Sequence, residues 1–279
     1  MPGSDASAAA AGLPWLQPDW PVPDRVRAVF TLRSGGVSVG LCASLNVGAH
    51  VQDNPLDVAE NRRRIAAAFE LPGEPAWLTQ VHGTQVVRLV GEELPSSGAD
   101  AVVSEQPGRV CVIQVADCLP VLFAARDGSV VGAAHAGWRG LAAGVLENTV
   151  AALGRPPAQL LAWIGPGIGR KNFEVGPAVR EAFIGLARTG AAAVEAAFVP
   201  NARGRWYCDL VALARLRLRA LGLTDIYGGH WCTFADAEHF FSHRRDGRSG
   251  RMAALIWLAR TPTNGADNLN LRGMPHADG

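Results

Sequence analysis

The sequence predicts an α/β fold of the α+β-like kind, in which helices pack on mixed β-sheets within a single domain. The 279-residue chain is 48% hydrophobic and 18% charged, a globular composition with enough apolar mass for a sizeable core. Short, apolar, β-rich segments cluster in the middle of the chain, and helical segments follow them one at a time. Because no fixed-period repeat is visible, a repeat architecture is not expected.

The predicted helices are marked by their caps and stops. NPLDVAENRRRIAAAFE predicts a helix with Asn54 as its N-cap and Pro55 in its first turn. GLAAGVLENTVAALG predicts a helix that ends at Gly154, and DLVALARLRLRALG predicts one that begins at Asp209. GPAVREAFIGLA is a further helical segment.

Strands are expected where short runs are rich in apolar and β-branched residues. These runs are VRAVFTLR, PAWLTQVHGTQVVRLV, ADAVVSE, RVCVIQVADCLPVLFAA, SVVGAAHAG, LLAWIGPGIG and MAALIWLAR. Within these runs, the stretches VADCLPVLF and GAAHAG each carry one reactive residue among apolar neighbours, Cys118 and His135 respectively. Both residues are therefore candidates for a site at which strands end.

The two ends of the chain differ in composition from its middle. Residues 1–20 are rich in Ala, Gly, Pro and Ser and predict a flexible N-terminal tail; the polar, turn-rich residues 261–279 predict a flexible C-terminal tail. Residues 21–260 between them predict a single catalytic domain. The chain shows neither a signal peptide nor an apolar run long enough to span a bilayer, so no membrane partner is expected.

The charge and the cysteines exclude several classes of protein. A net charge of +1 gives no reason to expect a nucleic-acid partner. The five widely spaced cysteines contain no CxxC pair, which argues against a disulfide scaffold and against a structural zinc ribbon. We therefore expect a cytoplasmic protein in which charged ligands meet local clusters of residues.

Three residues on different predicted strands are candidates for one site: His82 in QVHGTQ, Cys118 in VADCLP and His135 in AAHAGWRG. Each lies near a residue that bends the chain, namely Gly83, Pro120 or Gly137. Two imidazoles and a thiolate suit Zn²⁺, and three protein ligands leave the open position of a catalytic zinc. Two other interpretations stay open: unrelated core or surface residues, and a Cys118 nucleophile with His135 as its base.

Arginine-rich and glycine-rich segments are candidates for an anion site. ENRRR and SHRRDGRSGR each supply guanidinium groups, which suit phosphate or carboxylate, but solvated surface segments look the same in sequence. GPGIG at 165–169 fits neither a Walker loop nor the dinucleotide pattern, so it is a weak candidate for an anion-binding turn.

A dense series of motifs runs in order from about residue 15 to 260: TLRSGGVS, SLNVGAHVQDNP, ENRRR, WLTQVHG, ADAVV, VADCLPVLF, AAHAGWRGL, WIGPGIG, FEVG, CTF and FFSHRRDGRSGRMA. Through these motifs the chain resembles the YfiH-like family, whose members are named multicopper polyphenol oxidases (laccases), peptidoglycan editing factors or purine nucleoside phosphorylases. The resemblance implies a YfiH-like fold and a zinc site at His82, Cys118 and His135.

The resemblance also implies an activity. It is the phosphorolysis of adenosine, inosine and methylthioadenosine to free base and sugar 1-phosphate, with adenosine deamination as a side activity. Arg62 is then the candidate contact for phosphate, and Asn46 and Gln80 are the candidates for the nucleoside. In deamination, a zinc-bound water attacks purine C6, and Asp117 beside Cys118 is the candidate proton shuttle. The protein is expected to bind only such small molecules and to be a monomer or a homodimer.

Two alternative functions remain. A Cys–His amide hydrolase that edits peptidoglycan precursors would use Cys118 as its nucleophile. Cu²⁺ can replace Zn²⁺ at the same three ligands, which would give polyphenol oxidase activity. A centre with several coppers is not expected, because the chain has seven histidines without a His-x-His pair, and its methionines are Met1, Met252 and Met274.

Overall fold

Two mixed β-sheets lie face to face at the centre of the fold, and helices cover their outer faces. The structure is a computed structural model that describes residues 12–90, 98–185 and 191–260. The strands in these ranges are, in chain order, β1 (Trp15–Leu16), β2 (Val26–Thr31), β3 (Pro75–Trp77), β4 (Val86–Arg88), β5 (Ala101–Ser104), β6 (Val110–Val115), β7 (Leu119–Ala125), β8 (Val131–Ala136), β9 (Leu160–Ile164), β10 (Glu174–Val175), β11 (Phe198–Pro200), β12 (Trp206–Cys208), β13 (Ile226–Gly228) and β14 (Met252–Leu258). The α-helices are α1 (Pro55–Ala68), α2 (Trp138–Ala143), α3 (Val145–Leu153), α4 (Pro177–Ile184), α5 (Ala191–Ala196), α6 (Leu210–Ala220) and α7 (His243–Asp246).

The described strands form three sheets. The first has the order β13-β9-β7-β8-β5-β4, the second has the order β1-β2-β14-β6-β3, and a small third sheet has the order β10-β12-β11. Both large sheets are mixed. Strands β13 and β9, β4 and β5, and β3 and β6 pair in parallel, whereas the pairs around β7, β8 and β14 are antiparallel. This confirms the predicted class of mixed sheets with packed helices.

Strand β7 shows why the central segments read as continuous apolar runs. Leu119, Val121 and Phe123 share a core with residues of α3 and α6, whereas Leu122 and Ala124 share a second core with the sheet that contains β14. All five side chains are fully buried. Because successive side chains of a strand point to opposite faces and both faces are covered here, every position must be apolar.

Helix α1 covers the outer face of the second sheet. Its Ile65 is fully buried in a third core together with Val29 of β2, Val112 of β6 and Leu255 of β14. Asn54 caps the helix as predicted, because its Oδ1 accepts a hydrogen bond from the amide of Leu56 at 3.0 Å.

The predicted helix over GLAAGVLENTVAALG is two helices, α2 and α3. Gly144 separates them with a φ of 105°, a left-handed conformation that ends α2. Gly154 ends α3 as predicted, and Asp209 caps α6 by accepting from the amide of Ala212 at 2.9 Å. Within the described ranges, no helix combines the length and the apolar character needed to cross a membrane.

The predicted flexible tail over residues 1–20 is wrong for the part that the structure describes. Trp15–Leu16 pair antiparallel with β2, and Leu13 and Trp20 are buried. These apolar side chains cover a sheet edge and a core, which the small-residue composition around them concealed. Residues 1–11 and 261–279, on which the rest of the two predicted tails falls, lie outside the described residues.

Candidate metal centre

Three bends of the chain bring His82, Cys118 and His135 together. The strand-like segment PAWLTQVHGTQVVRLV, in which the sequence predicts a break at Gly83, forms two short strands, β3 and β4, and His82 lies in the loop between them. Cys118 lies in the bend between β6 and β7, and His135 is near the end of β8. Because Pro120 of β7 pairs with His135 of β8, the bend that carries Cys118 ends beside this imidazole.

The ligand atoms of these residues form a compact group, in which one atom from each lies within 4.8 Å of the others. Cys118 Sγ is 3.9 Å from His82 Nε2, and the two imidazole centroids are 4.8 Å apart. Sulfur and nitrogen ligands of one tetrahedral zinc ion lie about 3.6 Å apart, given bond lengths of about 2.3 and 2.0 Å. The donor set and its spacing therefore fit a zinc ion after a small contraction. His135 is buried and His82 is exposed, so the group has one open side.

The charges of the group favour a thiolate. Burial by itself raises the pKa of the Cys118 thiol, but the charge of His135 and the hydrogen bonds from both imidazoles outweigh it and lower the pKa to about 6. For His135, burial by itself lowers the pKa, and the Cys118 thiolate and the Asp100 carboxylate raise it above its usual value. Without metal, the pair is thus an imidazolium beside a thiolate.

Asp100 also lies at the site, although the sequence did not predict a role for it. Its buried carboxylate accepts a hydrogen bond from His135 Nδ1 at 2.8 Å and three more from backbone amides of residues 81–83. Burial by itself raises the pKa of Asp100, but these hydrogen bonds lower it below its usual value. The signal in the sequence is the acidic residue that opens the apolar strand in ADAVV, where burial demands hydrogen-bond donors.

The group lies on the wall of a cavity of about 590 Å³. Arg139, Arg244 and Arg251 also line this cavity, and none of them forms an ion pair with a carboxylate of the described residues. Arg205, by contrast, forms an ion pair with Glu174, another residue of the lining, at 3.6 Å between Nη1 and Oε1. The apolar part of the wall is formed by Trp138, Ile168, Phe173, Val175, Val179 and Leu210. The cavity is thus lined by the three metal-ligand candidates, by arginines that form no ion pair with the described residues and by apolar side chains.

Two of the three candidate anion segments, SHRRDGRSGR and GPGIG, have different outcomes. SHRRDGRSGR supplies Arg244 and Arg251 to the cavity, while its Arg248 donates to Gln52 at the surface. Three backbone amides of GPGIG are engaged within the protein: Gly165 N with the Pro120 carbonyl at 2.9 Å, Ile168 N with the Asp117 carbonyl at 2.8 Å and Gly169 N with Cys232 Sγ at 3.2 Å. The GPGIG turn is therefore a packing element of the cavity wall.

A comparison with known protein families shows the family to which this chain belongs. A model of the family described as multi-copper polyphenol oxidoreductase laccase matches residues 27–259. The chain belongs to this family. The resemblance and the fold that it implies are thereby confirmed, and the match spans all three metal-ligand candidates.

Relatives of this laccase-family chain carry the name of another activity. It is 54% identical over 247 residues to a Pseudomonas aeruginosa protein named purine nucleoside phosphorylase, which covers 88% of this chain and 98% of that protein. It is 51% identical over 243 residues to the Escherichia coli purine nucleoside phosphorylase YfiH, covering 87% and 98%.

Solved structures of similar proteins share the fold. A crystal structure of a Neisseria meningitidis protein is 46% identical with a TM-score of 0.81, covering 88% of this chain and 99% of that one. YlmD from Geobacillus stearothermophilus is 30% identical with a TM-score of 0.79, covering 88% and 96%. The mixed α/β architecture is therefore shared over nearly the whole length of these proteins.

The structure places Asn46 outside the cavity lining, which argues against the predicted contact with the nucleoside. Its side chain is fully buried, and Nδ2 donates to Asp53 Oδ2 at 2.7 Å. Its Oδ1 accepts from the amides of Gly48 and Arg251, each at 2.8 Å. Asn46 therefore ties its loop to the residue that opens β14, and its polar atoms are already engaged.

Arg62 and Gln80 are also committed to the protein. Arg62 donates from Nε and Nη2 to the Val47 carbonyl at 3.0 and 2.8 Å, and its guanidinium lies 4.0 Å from the ring centroid of Trp77, outside the cavity lining. Gln80 does line the cavity, but its amide bonds the backbone of Gln114 from both ends, at 2.9 and 2.8 Å. Both residues thus hydrogen-bond the protein backbone, and the contacts of Arg62 with phosphate and of Gln80 with the nucleoside stay predictions.

Asp117 lines the cavity beside Cys118, but its carboxylate is engaged. Oδ1 accepts from Thr233 Oγ1 and Oδ2 accepts from the amide of Arg244, both at 2.6 Å. The φ of Asp117 is 85°, so this residue lies in a bend. The rule that neighbouring side chains of a strand point to opposite faces therefore does not apply to Asp117 and Cys118. These bonds suit a residue that positions Arg244 better than a proton shuttle.

The family description implies several copper ions in one protein. The number of metal-ligand groups in the structure can be compared with this expectation. Within the described residues, His82, Cys118 and His135 form the one cluster of three or more His, Cys, Asp or Glu side chains close enough to share an ion. A group of this size holds one ion with an open position. The three residues can therefore hold a metal ion, with ligands that suit zinc or copper.

Proposed function

We propose that the protein is a zinc-dependent purine nucleoside phosphorylase that splits adenosine, inosine and methylthioadenosine to free base and sugar 1-phosphate. The observation that carries the proposal is the joint placement, around one cavity, of the metal group and of three guanidinium groups that form no ion pair with the described residues. The names of the relatives support the same reaction class. The cytoplasm, expected from the sequence, remains the proposed location.

Arg139, Arg244 and Arg251 are the proposed phosphate contacts. Arg251 is half-buried and donates from Nη1 to the carbonyls of Ser249 and Gly250 at 2.8 and 3.1 Å, which orients a charge that lacks a carboxylate partner. A buried guanidinium is costly without a counter-charge, so a bound phosphate would stabilise it. Arg244 donates from Nη1 to the Glu174 carbonyl at 2.8 Å, which leaves its other N–H groups for a ligand.

The apolar wall is the proposed purine site. Phe173 and Trp138 offer aromatic faces, and the guanidinium groups of Arg244 and Arg139 lie 5.1 and 4.3 Å from their ring centroids. A purine presents an aromatic face that can stack on such surfaces. The sugar would then lie between this wall and the arginines.

Phosphorolysis requires a phosphate oxygen to form a bond to C1′ while the C1′–N9 bond breaks. The electron pair of that bond goes to the purine, which takes up a proton as it leaves. The three arginines hold the phosphate and orient one of its oxygens toward C1′. His50 and His243 also line the cavity and are the proposed sources of the proton.

His82, Cys118 and His135 are the proposed zinc ligands. When bound, zinc supplies a Lewis acid that polarises an oxygen or activates a water, and this chemistry is the basis of the proposed deamination of adenosine. Asp117 acts in this proposal as a positioning residue, since its two oxygens hold Thr233 and the Arg244 amide.

The decisive experiment incubates purified protein with inosine, with and without phosphate, and measures metal content on the same sample. We expect hypoxanthine release to require phosphate, and one ribose 1-phosphate to form per base. Base release that is independent of phosphate would rule out phosphorolysis. Adenosine incubated without phosphate tests the side activity, which predicts inosine and ammonia as products.

Two variants separate the proposal from a Cys–His amide hydrolase. Cys118→Ala should lose stoichiometric zinc and base release together, whereas Cys42→Ala, which changes a buried cysteine outside the cavity lining, should retain both. A metal-free enzyme that releases amine from peptidoglycan precursors and is blocked by thiol alkylation would favour the hydrolase. Oxidation of phenols that appears only after loading with Cu²⁺ would mark the oxidase as a product of metal substitution.

A further inference from the structure

We propose that Asp100 is the positioning residue of the metal site, because one buried carboxylate fixes both the ring of His135 and the loop that carries His82. The inference rests on the metal site of the proposed function and does not depend on the nucleoside or on phosphate. It assigns a role to a residue that offers no ligand atom to the three-residue group.

The contacts of Asp100 join two separate elements. Oδ1 accepts from His135 Nδ1 at 2.8 Å and from the amide of His82 at 2.9 Å. Oδ2 accepts from the amides of Val81 and Gly83 at 3.1 and 2.6 Å. The backbone adds a second link, since the Asp100 carbonyl accepts from the amide of His135 at 2.7 Å. The same residue therefore holds both imidazole-bearing segments.

The hydrogen bond to His135 selects the nitrogen that can bind metal. An ionised carboxylate only accepts hydrogen bonds, so His135 Nδ1 must carry a proton. In the neutral ring, the lone pair is then on Nε2, which is the nitrogen left for the metal. Carboxylate–histidine–metal arrangements of this kind fix the tautomer and the orientation of the ring.

The amides of residues 81–83 hold the other ligand. His82 has a φ of 59°, a left-handed conformation that residues with a Cβ adopt rarely. Three consecutive N–H groups that converge on one carboxylate form an anion-binding concavity, which favours this backbone. Because Asp100 is fully buried, its charge depends on these donors, and the loop depends on the charge.

The test compares Asp100→Asn with the wild type. The side-chain amide of asparagine would place an NH₂ group either toward the amides of Val81 and Gly83, donor against donor, or toward His135, where it favours the tautomer with Nε2 protonated. Both arrangements impair the metal site. Asp53→Asn is the matched control, since Asp53 accepts from Ser38 Oγ and Asn46 Nδ2 at 2.6 and 2.7 Å without touching the imidazoles.

Two readouts are used on the full-length protein. Binding of Co²⁺, followed by its thiolate charge-transfer band in competition with a chelator, should weaken by about 10- to 100-fold in Asp100→Asn. In Asp53→Asn the binding should change by less than about threefold, as expected for a substitution remote from the ligands. NMR of the zinc-loaded wild type should show an exchange-protected Nδ1–H on His135, which is lost in Asp100→Asn and retained in Asp53→Asn.

Folding and metal uptake decide how the results are read. If Asp100→Asn is folded by circular dichroism and binds Co²⁺ within threefold of the wild type, the inference is overturned. If that variant does not fold, Asp100→Glu takes its place; its extra methylene prevents it from serving His135 and three amides together, and wild-type affinity there overturns the inference equally. A wild type that takes up no metal overturns this inference and the zinc site together. A wild type that binds metal without phosphorolysis overturns the proposed function alone.

Discussion

Gly137 stands directly against the metal group: a methyl group on its Cα would lie 2.9 Å from Cys118 Sγ and 2.9 Å from His82 Cδ2. Its φ of −63° and ψ of 156° are open to any residue, so the requirement for glycine at this position is steric. Gly137 is also the residue before α2, and the missing Cβ lets this helix begin beside two of the proposed ligands.

Gly137→Ala should weaken metal binding while leaving the fold intact. Forcing one methyl group into a packed site costs about 1–3 kcal/mol, which corresponds to roughly 5- to 150-fold in affinity if the ligands must separate to admit it. Metal content after dialysis against a chelator, with circular dichroism on the same sample, measures this effect.

Gly176→Ala is the control for this prediction. Gly176 likewise precedes a helix with extended backbone, but a Cβ there would meet no atom within 4 Å. Its metal content should equal that of the wild type. Wild-type metal affinity in Gly137→Ala would mean that the three ligand atoms do not close around an ion in the way proposed.

The three residues of the metal group could be selected as candidates because they stand out chemically, but only the resemblance to the family assigned them to a metal site. Cys118 and His135 interrupt apolar runs, and His82 stands before a glycine. Asp100 could not be separated from other acidic residues. Its role arises because the loop that carries His82 and the end of β8 that carries His135 both hydrogen-bond the same carboxylate. Such long-range contacts cannot be predicted from the local sequence.

Arginines show where the sequence was least informative. Arg62 and Arg251 each lie in an arginine-rich segment, and the sequence does not distinguish their roles. In the structure, Arg62 stacks on Trp77 and donates to a carbonyl, whereas Arg251 lines the cavity. The difference arises from long-range packing of the loop around Asn46 against β14, 205 residues later in the chain. Helices were predicted better, since Asn54 and Asp209 act as caps through their own neighbours.

Alkylation of the metal-free protein should single out Cys118. Its pKa is lowered to about 6, so the reactive thiolate persists as the pH falls and is lost only as the pH drops through about 6. Burial raises the pKa of Cys111 and raises that of Cys208 to about 12, so these thiols should stay unreacted. The measurement is the iodoacetamide labelling rate of each cysteine between pH 5 and 9, by peptide mass spectrometry.

Zinc provides the internal control for the alkylation experiment. Because the metal occupies the thiolate, stoichiometric Zn²⁺ should suppress labelling of Cys118 at every pH. A labelling midpoint near pH 8.5, the value of an ordinary thiol, would show that the imidazoles do not act on Cys118 as the geometry indicates.

Arg139→Ala should impair phosphate use with little effect on stability. Its guanidinium is exposed and rests on the ring of Trp138, and the described residues provide it with no ion pair. Loss of one charge-assisted contact costs about 1.5–3 kcal/mol, so the KM for phosphate should rise roughly 10- to 150-fold while the KM for inosine changes little. Steady-state kinetics with each substrate varied in turn measures the two values.

Arg219→Ala is the control for the charge itself. Arg219 is an exposed arginine of α6 outside the cavity lining, so its removal changes the net charge by the same amount. The KM for phosphate should stay at the wild-type value in this variant. Equal effects of the two substitutions would indicate a long-range influence of charge and would remove Arg139 from the phosphate site.

Asp117→Asn separates a positioning residue from a proton shuttle. Asparagine keeps an acceptor for Thr233 Oγ1 but turns an NH₂ group toward the amide of Arg244, so the segment that carries this arginine should shift. For a positioning role we expect the KM for phosphate to rise about tenfold, with both limbs of the pH–rate profile retained. Loss of a general acid or base would instead lower kcat by about 10²- to 10⁴-fold and remove one limb. Thr233→Val deletes one hydrogen-bond donor and leaves the carboxylate, so it should raise the KM for phosphate more weakly if Asp117 acts through Arg244. A large loss of kcat in Asp117→Asn but not in Thr233→Val would instead support Asp117 as the proton shuttle.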